Sequence, residues 1–112
     1  WYGSTLTPTE IDIKLKGPQD EIELGEGRIR AIHVPGHSPG SLVYLTESEG
    51  LKVLFAQDVH GPINEETLLS NREDYLMSLN LMISLGADIL CEGHYGIFRG
   101  KCDAEAFIRS FL

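Results

Sequence analysis

One loop constrains the fold of this chain more than any other segment. Residues 33–41 read HVPGHSPGS, and two prolines and two glycines therefore lie within nine positions. Proline fixes its own backbone torsion, while glycine adopts conformations that other residues resist. The flanking residues 28–34 and 41–47 are rich in β-branched and aliphatic side chains, which is typical of strands. The sequence predicts a rigid loop between two strands that holds His37 in one position.

Hydrophobic periodicity predicts the remaining elements. Apolar and polar residues alternate in 11–16, which predicts a half-exposed edge strand, and helical spacing recurs in 72–85, after the N-cap residue Asn71. The complete set of predicted strands is 11–16, 21–24, 28–34, 41–47, 51–56 and 87–91, with helices at 72–85 and, capped by Asp103, at 103–112. This order predicts an α/β (α+β) fold with one mixed, mostly antiparallel sheet.

The strand directions bring three side chains to one edge of that sheet. Strand 51–56 runs in the same direction as 28–34, so Asp58 and the His37 loop lie at the same edge. The helix 72–85 is a crossover, and a strand–helix–strand crossover makes the second strand parallel to the first, which brings His94 to that edge as well. Imidazole and carboxylate groups are ligands of Zn²⁺ or Fe²⁺. The sequence therefore predicts a metal site, although a single loop histidine is more often a surface residue.

Three motifs in this order resemble a known family. The segment PGHSPGS, the apolar run VLFAQD that ends at Asp58, and the segment CEGHYG around His94 are similar to the C-terminal half of a metallo-β-lactamase-fold metallohydrolase. The resemblance covers residues 21–112. It implies half of an αββα sandwich with both helices on one face of the sheet. Residues 1–112 are then a single domain that forms the C-terminal part of the fold, with the N-terminal part missing.

The resemblance also implies a reaction and the roles of the site residues. His37 binds one metal, His94 binds the second, and Asp58 bridges both and is catalytic. The metals are two zinc ions, with iron or manganese as alternatives. A hydroxide held between them attacks a small-molecule ester, thioester, lactam or phosphoester, because a bound metal lowers the pKa of water towards neutrality.

The HxHxDH motif of that family, which supplies further ligands, is absent. The chain has four histidines, and none are spaced two residues apart: His33, His37, His60 and His94. The chain alone is therefore expected to bind zinc weakly or not at all and to be inactive. The alternative function is a non-catalytic interaction domain that retains the fold. His60, just beyond Asp58, and His33, four residues before His37, are candidate substrate contacts, and each also has a purely structural interpretation.

Composition excludes some functions and suggests a partner. Seventeen acidic and nine basic residues give a net charge of −8, without a basic cluster, which argues against nucleic-acid binding. No apolar run reaches the ~20 residues of a membrane span. Two cysteines, Cys91 and Cys102, suit a reducing compartment, so a cytoplasmic location is expected. In residues 42–45 and 53–56 both faces of the sheet are apolar, which predicts a homo-oligomer through an exposed sheet face.

Overall fold

The sheet determines the architecture. A computed structural model of the protein describes residue 5 and residues 7–112. In these residues the elements are β1 (Gln19–Leu24), β2 (Gly27–His33), β3 (Leu42–Ser48), β4 (Leu51–Ala56), α1 (Arg72–Ser84), β5 (Ile89–Glu92), β6 (Gly96–Arg99) and α2 (Lys101–Arg109). The six strands lie side by side in chain order. Every neighbouring pair is antiparallel except β4 and β5, which are parallel and are joined through α1. The predicted mixed, mostly antiparallel sheet with two helices is confirmed.

The two faces of the sheet have different environments. Val43, Leu45, Leu54 and Ala56 are buried and belong to one cluster with residues of both helices: Tyr75, Leu79, Met82, Ala104 and Ile108. On the opposite side a row of side chains crosses four strands, pairing Tyr44 with Phe55, Phe55 with Cys91, and Cys91 with Ile97. Phe55 is 46% exposed and Ile97 58%. The helices thus cover one face, and an apolar row lies on the other, which we call the open face.

At the ends of the sheet one predicted strand was wrong and one observed strand was not predicted. Residues 11–16 form no strand, and Ile11 and Ile13 are each 62% exposed. An alternating pattern needs a partner strand to supply hydrogen bonds, and the described pairing of the sheet ends with β1 at that side. The strand β6 was not predicted, since its four residues carry no clear periodicity and its place depends on pairing with β5.

The helix boundaries are close to the predicted ones at α1 and shifted at α2. The Asn71 side chain caps α1 by accepting a hydrogen bond from the Asp74 N–H, as predicted. Helix α2 begins at Lys101 after Gly100, so Asp103 lies inside the first turn and is not the N-cap. A carboxylate in that turn still interacts favourably with the helix dipole. Neither helix of the described residues has the length and apolar character that a membrane crossing requires.

The loop between β2 and β3 packs directly on the first turns of α1. The Asn71 N–H donates to the Gly36 carbonyl at 2.8 Å, and the Ser78 hydroxyl donates to the Pro35 carbonyl at 2.6 Å. Gly36 has a φ of +141°, and a Cβ there would lie 2.2 Å from the Cα of Tyr75. Only glycine fits this contact, so the position of the His37 loop is set by the helix.

Replacing Gly36 with alanine tests this contact. The added methyl group would clash with the backbone of α1, and the alanine would have to adopt the left-handed conformation of Gly36. Overpacking and backbone strain each cost about 1–3 kcal/mol. Gly36→Ala should therefore lower the free energy of unfolding by at least ~2 kcal/mol in urea denaturation. Gly40→Ala, in the same loop, is the control, because a Cβ there meets no atom within 4 Å. Equal stability of the two variants would contradict the proposed contact.

Candidate metal centre

Asp58 lies between two imidazoles. It follows β4 in a left-handed backbone conformation, with a φ of +55°, which aspartate tolerates better than most residues. Its Oδ2 is 3.4 Å from Nε2 of His37, and its Oδ1 is 3.0 Å from Nε2 of His94. Each carboxylate oxygen therefore faces a different ring. The predicted meeting of these three side chains at one sheet edge is confirmed, whereas their role as metal ligands stays a prediction.

The His37 ring is held so that one of its nitrogens has a free lone pair for a ligand bond. Its Nδ1–H donates to the Pro62 carbonyl at 2.8 Å, so Nε2, on the side of Asp58, keeps its lone pair. The Ser70 hydroxyl also donates to the His37 carbonyl at 2.5 Å, which fixes the backbone. His37 and Asp58 line a cavity of about 380 Å³ together with Ser38, Gly40, Ser41, Leu42, Tyr44, Gln57 and Leu68. The ring is thus oriented before any ligand binds.

Glu92 organises the opposite side of the site, and the sequence analysis missed it. Its side chain is completely buried; Oε1 accepts from Nδ1–H of His60 at 2.9 Å, and Oε2 accepts from the His94 and Tyr95 N–H groups at 2.7 Å each. Burial raises the pKa of Glu92, but the hydrogen bonds from Tyr95, His60 and His94 outweigh it and lower the pKa overall. Its only sequence signal was an acidic residue at the end of an apolar strand.

The structure places the two predicted substrate contacts, His60 and His33, in different surroundings. The ligand atoms of His60, Asp58 and His94 all lie within 4.8 Å of one another. The His60 ring packs edge-to-face on His94 and on Tyr95, with ring centroids 5.0 Å apart in each pair. The Nε2–H of His33 instead donates to the Pro39 carbonyl at 2.7 Å, and His33 does not line the cavity of His37 and Asp58. The roles of His60 and His33 in substrate binding stay predictions.

Tyr75 joins the two halves of the site. Its backbone contacts Gly36 in the His37 loop, and its hydroxyl donates to the carbonyl of Val59, between Asp58 and His60. The side chain is buried, and this burial raises the pKa of the phenol above its ordinary value. One residue of α1 therefore fixes the loop that carries His37 and the turn that carries Asp58.

The donor set fits a divalent metal. Imidazole and carboxylate donors are those that Zn²⁺ accepts, and ligand atoms at ~2.1 Å from a tetrahedral ion are ~3.4 Å apart. The separations of 3.0 and 3.4 Å around Asp58 are close to that value. Metal-binding histidines also donate their second N–H to a carbonyl or carboxylate, as His37 and His60 do here.

Comparisons with known proteins identify the fold. No sequence-family model matches the chain. Among solved structures it is similar to a metallo-β-lactamase family protein from Thermus thermophilus, with 27% identity, a TM-score of 0.66, and coverage of 92% of this chain and 36% of that one. This is the metallo-β-lactamase fold. A β-lactamase from Chitinophaga pinensis matches with 24% identity, a TM-score of 0.66, and coverage of 98% and 49%.

A third match has the same fold at lower identity. A metallo-β-lactamase from Cronobacter sakazakii is 17% identical, with a TM-score of 0.70 over 93% of this chain and 48% of that one. The chain thus spans half or less of the length of these three proteins. The resemblance to this superfamily seen in the sequence is confirmed, as is the fold of half an αββα sandwich.

Replacing Tyr75 with phenylalanine tests its role between the two loops. The change leaves the Val59 carbonyl without its donor, so Tyr75→Phe should lower the free energy of unfolding by about 1–3 kcal/mol near neutral pH. The raised pKa of Tyr75 makes the tyrosine favourable below the unfolded value of about 10 and progressively less so as pH rises through the folded value. The stability difference between wild type and variant should therefore shrink above about pH 10.

Urea denaturation of both proteins from pH 7 to 11 gives this difference directly. Other alkaline groups titrate equally in wild type and variant, so their contributions cancel. Tyr44→Phe is the matched control for loss of a tyrosine hydroxyl, because Tyr44 lies in the row on the open face and makes neither of the two contacts of Tyr75. A Tyr75→Phe difference that grows with pH would contradict the assignment.

Proposed function

We propose that this chain supplies part of the catalytic centre of a metal-dependent hydrolase. The observation that carries the proposal is the Asp58 carboxylate between two imidazoles, with one oxygen towards His37 and the other towards His94. A carboxylate with both oxygens directed to separate imidazoles is suited to bridge two cations. Two-metal sites of hydrolases hold their ions ~3.5–4 Å apart.

In this proposal each residue has one role. His37 holds one zinc ion, His94 holds the other, and Asp58 contacts both; iron or manganese are the alternative metals. When bound, such metals lower the pKa of water and polarise the oxygen of a substrate. A catalytic zinc uses three protein ligands as a rule, so residues outside 1–112 supply the others, and residues 1–112 alone do not hydrolyse substrate.

The proposed substrate is a small molecule with an ester, thioester, lactam or phosphoester bond. The cavity beside His37 and Asp58, of about 380 Å³, is within the size range of small-molecule sites. The net charge of −8 disfavours nucleic acid as a partner. The free cysteines Cys91 and Cys102 suit a reducing compartment, and we place the protein in the cytoplasm.

Asp58→Ala tests the proposed reaction in the complete polypeptide that contains these residues. Removal of the carboxylate takes a ligand from both metals, and loss of groups that merely orient ligands already costs about 10–100-fold, so hydrolysis should fall by at least about 100-fold. Turnover of ester, thioester, lactam and phosphoester substrates is measured after metal loading, and chelator should abolish it. Asp12→Ala, an exposed position, is the control. Near-normal turnover of Asp58→Ala would refute the assignment.

The second candidate is an interaction domain that retains the fold without catalysis. The same assay separates the two functions. Hydrolysis that depends on metal and on Asp58 supports the enzyme. A complete polypeptide that folds and associates with a partner but shows no metal-dependent turnover supports the interaction domain.

We also propose that residues 1–112 associate with a second copy through the open face. Tyr44, Phe55, Cys91 and Ile97 form a continuous cross-strand row there. Burial of apolar surface contributes about 25 cal/mol per Å², and stable interfaces bury about 1,200 Å² or more in total. The net charge of −8 opposes association only over the ~8 Å screening length at physiological salt.

Sedimentation of the 112-residue chain tests this association. The wild type should be dimeric at tens of micromolar, and Phe55→Glu should weaken the dimer at least ~10-fold, since it places a charge in the apolar row. Met77→Glu, at an exposed position of helix α1 on the other side of the sheet, is the control. A strict monomer that binds no dye for exposed apolar surface would refute the proposal.

A further inference from the structure

We infer that Asp58, His60 and His94 form a site for one divalent transition-metal ion within this chain. The inference does not depend on hydrolase activity, and it gives His60 a role as a direct ligand. It also differs from the two-metal arrangement proposed above, because the group of donors within 4.8 Å of one another contains His60 and not His37.

The donor geometry is close to that of a bound ion. Oδ1 of Asp58 is 3.0 Å from Nε2 of His94, and all three ligand atoms fall within 4.8 Å. Around a tetrahedral zinc the ligand atoms are ~3.4 Å apart, so binding needs separations within 4.8 Å to close by at most about 1.4 Å. Two imidazoles and a carboxylate with an open fourth position are a usual zinc donor set.

Glu92 prepares His60 to act as a ligand. The buried carboxylate accepts the Nδ1–H of His60 at 2.9 Å, which leaves Nε2 as the nitrogen with a free lone pair. A carboxylate that orients a histidine in this way is the usual arrangement behind a metal-binding imidazole. The same carboxylate accepts the His94 backbone N–H at 2.7 Å. One buried charge therefore positions two of the three ligands.

Access to the site is open. The His94 side chain is 60% exposed, whereas those of His60 and Asp58 are each 18% exposed. An ion can thus reach the two partly buried donors from the His94 side. If His60 only packed on His94 and Tyr95, neither the free lone pair on its Nε2 nor the open path to the site would have a role.

Calorimetric titration of the chain with Zn²⁺ tests the inference. One ion should bind per chain, and His60→Gln should weaken binding at least about 10-fold, as loss of one ligand in three requires. His33→Gln should weaken it less than about threefold, because His33 is not in the group and does not line the cavity of His37 and Asp58. His33→Gln is thus the matched control, with the same change of side chain at a histidine whose ring donates to the Pro39 carbonyl.

Two spectroscopic measurements make the result independent of folding defects and of activity. Co²⁺ absorption should show ligand-field bands that weaken in His60→Gln, and ¹⁵N spectra should show Zn²⁺ shifting the His60 and His94 rings with the His33 ring unchanged. Circular dichroism confirms that each variant is folded. Unchanged zinc affinity of folded His60→Gln, or no shift of the His60 ring, would overturn the inference. Either result would leave the hydrolase proposal standing, since that proposal fails only through the Asp58→Ala assay.

Discussion

The contact between helix α1 and two loops is the interaction on which the rest of the site depends. Tyr75 meets the backbone of Gly36 on one side and donates its hydroxyl to Val59 on the other. The buried side of α1 belongs to the core of the sheet, so a rigid packing unit sets the distance between His37 and Asp58. Such support from packed elements positions functional groups better than flexible loops do.

The buried charge of Glu92 is the counterpart of this contact on the other side of Asp58. A buried carboxylate is costly unless hydrogen bonds satisfy it, and three donors do so here, from His60, His94 and Tyr95. Because those donors belong to two separate segments, Glu92 ties the turn after β4 to the loop after β5. These hydrogen bonds offset the cost of burying the charge, and they hold two histidines in place.

The sequence was sufficient for the parts of the structure that follow from local pattern and chain direction. Alternating apolar residues and one crossover helix determine which strand ends meet, and this was enough to bring His37, Asp58 and His94 together. The failures concern nonlocal information. Apolar and polar residues alternate in 11–16, but no described strand pairs with them. The strand β6 depends on its pairing with β5, and the burial of Glu92 depends on tertiary packing. The proximity of His60 to Asp58 and His94 depends on that same packing.

The backbone of Asp58 places stability and function in conflict at one position. A non-glycine residue in the left-handed region stores strain of about 1 kcal/mol or more. Glycine at this position would release that strain and remove the carboxylate between the imidazoles. Backbone strain alone therefore favours glycine here, whereas the contacts to His37 and His94 need the aspartate. In a population of random variants, those with glycine at position 58 would pass a screen for folding more readily than a screen for metal binding.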